Sequence, residues 1–164
     1  MSQVRVSYSG QAYSPAGDKG RFALPSAFRK TVKEASDNKR VVCLDTHATW
    51  PCIVGFGLNR EDELQDQLDR EYDVALNAGR EFDYDARSLA LFGFDKVPFD
   101  DSGRFTLPPH LASAAKVDGG LFIRGAGRFF TLWSPSELYR MGDEMAKLKA
   151  ECESFVAQAG AKAA

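Results

Sequence analysis

The chain contains no run of apolar residues approaching the roughly twenty that a membrane span requires. Its first residues, MSQVRVSYSGQAYS, hold no apolar segment of the secretory kind, so the expected compartment is the cytoplasm. Histidine is scarce, with only His47 and His110, and the three cysteines, Cys43, Cys52 and Cys152, are odd in number and lack CxxC spacing. Cys43, His47 and Cys52 fall within ten residues, but their spacing matches no common zinc pattern and no fourth ligand lies at a familiar distance. The cysteines therefore read as small buried hydrophobes in strands of a reduced protein, and neither metal nor other cofactor is expected. Also missing are GxxxxGK[ST], GxSxG and HExxH, which leaves an enzyme, or any small-molecule substrate, without a motif to stand on. The acids Asp62, Glu63, Asp83 and Asp85 read as solvated helix-flanking faces rather than a catalytic pair.

A charge of one sign is lacking as well. The net charge is −2, which excludes a uniformly basic nucleic-acid binder. Residues 1–40 nevertheless hold eight Lys/Arg (Arg5, Lys19, Arg21, Arg29, Lys30, Lys33, Lys39, Arg40) against three acids, a local charge of +5. Residues 61–101 hold thirteen acids and four bases, a local charge of −9. A basic patch of this kind is either a phosphate-binding face or an ordinary solvated surface.

What the sequence does have is an internal repeat. Asp18-Lys19-Gly20-Arg21-Phe22-Ala23-Leu24-Pro25-Ser26-Ala27-Phe28 returns 83 residues later as Asp101-Ser102-Gly103-Arg104-Phe105-Thr106-Leu107-Pro108-Pro109-His110-Leu111, with six of eleven positions identical. Chance alone gives about one identity in such a window. After the first copy come VVCL and CIVGF, after the second LFIR and FFTLW, and each pair of β-branched or aromatic runs reads as a hairpin. Trp50 and Trp133 also lie 83 apart, but the hairpin alignment sets Trp133 against Phe56, so that spacing reads as coincidence.

Each copy thus predicts strand, Gly-Arg turn, strand, short helix, hairpin. Arg5–Tyr8 is the expected entering strand of the first. Gly20 and Gly103 supply the positive φ of tight turns. Pro25 and Pro108 stop a short half-buried strand and suit the first turn of a helix, whose buried face is Phe28 and Val32, with Arg29, Lys30 and Lys33 outside. A further helix is expected after a cap at Asn59, with Leu64, Leu68, Tyr72 and Leu76 on one face. Ser134-Pro135-Ser136-Glu137 reads as a capping box opening a C-terminal helix with a seam of Leu138, Met141, Met145, Leu148, Cys152 and Phe155. That seam faces either its own domain or a neighbouring subunit, and the tail from Ala157 is expected to fray.

Lys19-Gly20-Arg21-Phe22-Ala23-Leu24-Pro25-Ser26-Ala27-Phe28-Arg29 resembles the first signature of MraZ proteins, and Asp100-Asp101-Ser102-Gly103-Arg104-Phe105-Thr106-Leu107-Pro108 the second. Asp85-Ala86-Arg87-Ser88-Leu89-Ala90-Leu91-Phe92 resembles the family's linker helix, and the likeness runs from about Ser7 to Leu138. It implies a β-rich α+β fold of two tandem swapped-hairpin, AbrB-like units in pseudo-two-fold arrangement. The expected divisions are a first unit at 7–58, a helical linker at 59–93, a second unit at 94–138, and a C-terminal helix and tail at 139–164. It also implies a transcriptional regulator that binds direct repeats of double-stranded DNA in the promoter of a cell-division and cell-wall gene cluster, forms ring-shaped homo-oligomers, associates with the nucleoid and catalyses nothing. The family motif of Asp, three residues and Arg stands in the second copy as Asp100 and Arg104. In the first copy Gly17 occupies the place of Asp100, with the acid one place later at Asp18, and in the second Ala112 occupies the place of Arg29. By charge the first unit is the expected DNA reader and the second more a scaffold.

The chemistry of this reading is direct. An arginine on a turn entering the major groove pairs bidentately with guanine N7 and O6, worth roughly 1–3 kcal/mol of discrimination. The candidate DNA-binding residues are Lys19, Arg21, Arg29, Lys30, Lys33 and Arg104, with Gly20, Gly103 and Asp100 shaping the turns. For Arg21 and Arg104 the competing role is an ion pair with the acid of the same turn. Competing functions are an AbrB-like antitoxin whose C-terminal helix neutralises a toxin, and a purely structural ring-former.

Overall fold

The computed structural model describes residues 6–163. Along the chain, β1 (Gln11–Ser14) leads through a 3-10 turn (Asp18–Gly20) to β2 (Arg21–Ala23), α1 (Ser26–Ala35) and the hairpin of β3 (Val41–Thr46) and β4 (Ile53–Phe56). Helices α2 (Arg60–Asn77) and α3 (Tyr84–Leu91) follow. The second half repeats the order as β5 (Asp95–Pro98), β6 (Arg104–Thr106), α4 (Pro109–Ala114), β7 (Leu121–Gly125) and β8 (Phe130–Trp133). Helices α5 (Pro135–Tyr139) and α6 (Ala146–Ala163) end it, with a 3-10 turn at Asp143–Met145 between them. The architecture is α+β, built on antiparallel strands.

Six strands form one sheet in the order β1-β7-β8-β4-β3-β5, and β2 and β6 form a separate two-stranded ribbon. Exchanging the two halves of the chain turns that six-stranded order into its own reverse. Each outer strand completes the hairpin of the other half: β1 runs antiparallel to β7, and β5 to β3. The ribbon obeys the same exchange, with Phe22 opposite Phe105. Its ends are tied symmetrically, the Leu24 N–H to the Gly103 carbonyl at 2.8 Å and the Leu107 N–H to the Gly20 carbonyl at 2.9 Å.

The main core lies between this sheet and the ribbon with its two following helices. Phe22, Leu24, Phe28 and Val32 from the first half, and Phe105, Leu107, Leu111 and Ala115 from the second, pack on Val42, Leu44, Ile53, Ile123, Phe130 and Leu132. The alternation that predicts β2 and β6 holds, since Phe22 and Phe105 are buried while Arg21, Ala23, Arg104 and Thr106 are exposed. Pro25 and Pro108 sit one place before their helices, and Pro109 takes the first helical position instead.

The entering strand is Gln11–Ser14 rather than Arg5–Tyr8; Arg5 lies outside the described residues, and Tyr8 forms an isolated bridge to Gly127. QAYS is polar enough to hide its role, which comes from pairing with β7. In α2, Leu64, Leu68 and Ala75 are buried, but Tyr72 and Leu76 turn outward, because a strict four-residue step drifts off one face of a 3.6-residue helix. The Asn59 side chain makes no capping bond.

The C-terminal helix is two helices. Ser134 does not cap α5 with its side chain; its hydroxyl, like that of Ser136, donates to Asp118 instead, at 2.9 and 3.0 Å. The chain then turns at Gly142 before α6 begins. Even so, the seam stays on one side: Leu138, Met145 and Cys152 are buried against Phe122, Trp133 and Cys52, with Met141, Leu148 and Phe155 packed around them. Arg124 of β7 holds α6 through Glu151 at 3.2 Å. The seam therefore faces the chain's own sheet. Ala157–Ala163, expected to fray, continues α6, in keeping with alanine's high helix propensity. No helix among the described residues is long and apolar enough to cross a membrane.

Candidate nucleic-acid interface

The outer face of the ribbon gathers both repeat arginines. Phe22 and Phe105 point inward, so their neighbours must point out. Arg21 stands opposite Thr106, and Arg104 opposite Ala23, which makes the two arginines diagonal neighbours on one exposed face. Diagonal partners of this kind lie within reach of long side chains. The two copies of the signature thus present a single surface rather than two separate ones.

The turns leading into that ribbon share one frame and differ in everything attached to it. The Gly17 N–H donates to the Arg21 carbonyl at 2.9 Å, and the Asp100 N–H to the Arg104 carbonyl at 3.0 Å. In the second turn the Asp100 carboxylate accepts from the backbone N–H of Ser102 and of Arg104, both at 2.9 Å, and from Arg104 Nε at 3.0 Å. These donors, the Arg104 N–H foremost, hold the Asp100 carboxyl below the usual carboxylate range. Gly103 is buried there with φ of 81°. In the first turn Gly17 has no carboxylate to offer, and Lys19 and Gly20 take φ of 57° and 73° in succession. Lys19, Gly20 and Arg21 are all exposed, and Arg21 forms no ion pair with any described residue. The ion pair weighed for both arginines is present only at Arg104.

Helix α1 adds cations beside the ribbon. Lys30 is exposed and Lys33 half-buried, and neither is engaged in an ion pair among the described residues. Arg29 is different: a Cβ built on Gly103 would meet its Nη1 at 2.8 Å and its Cδ at 3.2 Å, so this side chain lies across the second turn. Arg40, in sequence only one more cation of the basic patch, pairs with Asp101 of that same turn. The signal for it was its position just ahead of β3.

Cys43, His47 and Cys52 do not converge as ligands. Cys43 and Cys52 are buried, and burial pushes their thiols up to about 11 and about 12. Cys52 lies in the loop before β4 rather than in a strand. His47 Nδ1 accepts from the backbone N–H of Thr49 at 3.1 Å and of Trp50 at 3.0 Å, and its ring stacks on Trp50 at 4.3 Å. Trp50 in turn lies 6.1 Å from Trp133, so residues at non-equivalent places in the repeat meet in space.

The arrangement defines a class: an internally duplicated α+β protein presenting a cationic two-stranded ribbon. No family profile matches the chain. Curated proteins do. The chain is 30% identical over 116 residues to a protein of Hydrogenovibrio crunogenus named Transcriptional regulator MraZ, covering 71% of this chain and 72% of that one. Proteins of the same name from Pseudomonas putida and Pseudomonas entomophila are each 30% identical over 115 residues, covering 70% of this chain and 72% of theirs. The chain belongs to the MraZ family.

Proposed function

We propose that this protein is a sequence-specific DNA-binding transcriptional regulator whose reading surface is the β2–β6 ribbon flanked by α1. The observation that carries the reading is Arg21, exposed beside Lys19 on a two-stranded ribbon and free of ion pairs among the described residues. A two-stranded ribbon is of a size the major groove admits, and arginine there recognises guanine bidentately. Lys30 and Lys33, one helix away, are placed to hold phosphates and set register. The relatives' name, transcriptional regulator, supports the same conclusion.

The finer reading follows from the family. The protein is non-catalytic and works in the cytoplasm on the nucleoid. It is built of two AbrB-like swapped-hairpin units, at 7–58 and 94–138, joined by the linker at 59–93 and followed by 139–164. The palindromic strand order supports this division. Its target is a set of direct DNA repeats in the promoter of a cell-division and cell-wall gene cluster. One chain meets few phosphates and carries a net negative charge, so ring-shaped homo-oligomers on repeated sites supply affinity through effective concentration. The acidic segment 61–101 keeps DNA off the wrong face. An antitoxin reading finds no support in α5 and α6, whose apolar seam is spent on the chain's own sheet.

DNase footprinting upstream of the protein's own gene tests this reading. Protection of short repeats in one orientation is the expected result. Uniform or absent protection contradicts it.

A further inference from the structure

We propose a division of labour within the ribbon: the first turn reads bases, while the second is a locked scaffold held by Arg29, Arg40 and Asp100 acting as positioning residues. This rests on the DNA-binding reading and goes beyond it by assigning unequal roles to Arg21 and Arg104. Three independent features bear on the second turn, and each is missing from the first. Asp100 clasps Arg104 through both backbone and guanidinium, whereas its counterpart is Gly17. Arg40 pairs with Asp101, whereas the residue ahead of the second hairpin, aligned with Arg40, is Gly120. Arg29 lies across Gly103, whereas its counterpart is Ala112 and a Cβ on Gly20 would meet nothing within 4 Å.

The substitutions are not interchangeable with any side chain. A Cβ at Gly120 would meet the Tyr13 hydroxyl oxygen at 2.1 Å, so no cation fits there to hold Asp18. The consequence is electrostatic as well as steric. Arg104 shares its charge with Asp100 and Arg40 with Asp101, so two cations of the second turn are paired within the protein, whereas Lys19 and Arg21 form no ion pair among the described residues. The first turn presents Lys19 and Arg21 against Asp18 alone. Two of the five cations counted toward a DNA surface in the α1 segment and its flank, Arg29 and Arg40, are thus directed at protein.

The test is fluorescence anisotropy on a duplex selected from a random-sequence pool by the wild-type protein. Arg21→Ala is expected to lower affinity roughly tenfold or more, and Arg104→Ala by only about two- to threefold, since both side chains are exposed but only one is free. A second pair of measurements addresses the locks. Asp100→Gly with Arg40→Gln gives the second turn the freedom of the first, and on that background Arg104→Ala is expected to become as damaging as Arg21→Ala is in the wild type. Restoring Asp100 on that background returns the clasp on Arg104, and with it the mild effect of Arg104→Ala. Equal losses for the two arginines in the wild type overturn the division of labour while leaving DNA reading intact. An unchanged Arg104→Ala effect after unlocking overturns the role of Arg40 and Asp100. A pool from which nothing is enriched overturns DNA reading and the division of labour together.

Discussion

Phe22 and Phe105, 83 residues apart in the chain, face each other across the β2–β6 ribbon with ring centroids 6.3 Å apart. Both are buried, and both lie under the arginine-bearing face. The contact makes the two halves of the chain mutually dependent. Either Phe22→Ala or Phe105→Ala is expected to destabilise the fold by about 3–5 kcal/mol. Because the cavities merge, the double variant falls short of the sum. Urea unfolding followed by far-ultraviolet circular dichroism measures all three. Additive losses would mean the rings act separately.

Lys19 holds a left-handed backbone with φ of 57° in the exposed first turn. A non-glycine residue there carries strain on the order of 1–2 kcal/mol; glycine relieves it, but its larger unfolded-state entropy takes back part of that gain. Lys19→Gly is therefore expected to raise stability by about 0.5–1 kcal/mol while weakening DNA binding and reducing its salt slope by about one. Thermal melts and binding at several salt concentrations separate the two effects. A variant that loses both stability and binding would place Lys19 in the fold rather than at the interface.

His47 makes a pH-dependent contribution. Its Nδ1 accepts two backbone N–H bonds, which only the neutral ring can do, and burial lowers its pKa from the ordinary 6.5. The unfolded chain therefore takes up the proton first as pH falls. The stability His47 confers is complete above about 6.5 and is lost as pH drops through the lower folded value. Melting temperature measured from about pH 8 down to 5 is expected to fall, and to fall less steeply for His47→Asn, whose side-chain oxygen accepts without titrating. Parallel curves for the two proteins would show that His47 is not the group responsible.

Helix α6 covers Phe122 and Trp133, which are fully buried. Truncation after Met145 uncovers them, and the expected result is binding of a hydrophobic dye and self-association, both seen by fluorescence and light scattering. A truncated protein that stays monodisperse and dye-free would show that another element closes over the sheet.

The repeat made much of this legible. Six identities in eleven residues mark both ribbon strands, both following helices and the buried Phe22, Leu24, Phe105 and Leu107, because alternation at period two survives in sequence. Pairing of the copies with each other is not written in either one, since strand partners are chosen by the whole core. β1 is hidden in the sequence for a related reason: Gln11–Ser14 has little apolar pattern and is defined by its neighbour β7. Helix α5 opens without the side-chain cap expected of Ser134, because Ser134 and Ser136 donate to Asp118, a contact 16 and 18 residues back that no local capping rule contains. On the candidate surface, the exposed cations Lys19, Arg21 and Lys30 could be anticipated, but the reach of Arg29 and Arg40 to the opposite turn required the fold.

Fluorescence anisotropy with a labelled duplex from upstream of the protein's own gene shows whether Arg21 on the ribbon reads DNA. A scrambled duplex serves as control, at two salt concentrations, with wild type and Arg21→Ala side by side. The expected result is tight, salt-sensitive binding to the first duplex alone, lost on substitution while the melting temperature is unchanged. Equal weak binding to both duplexes, indifferent to the substitution, would contradict it.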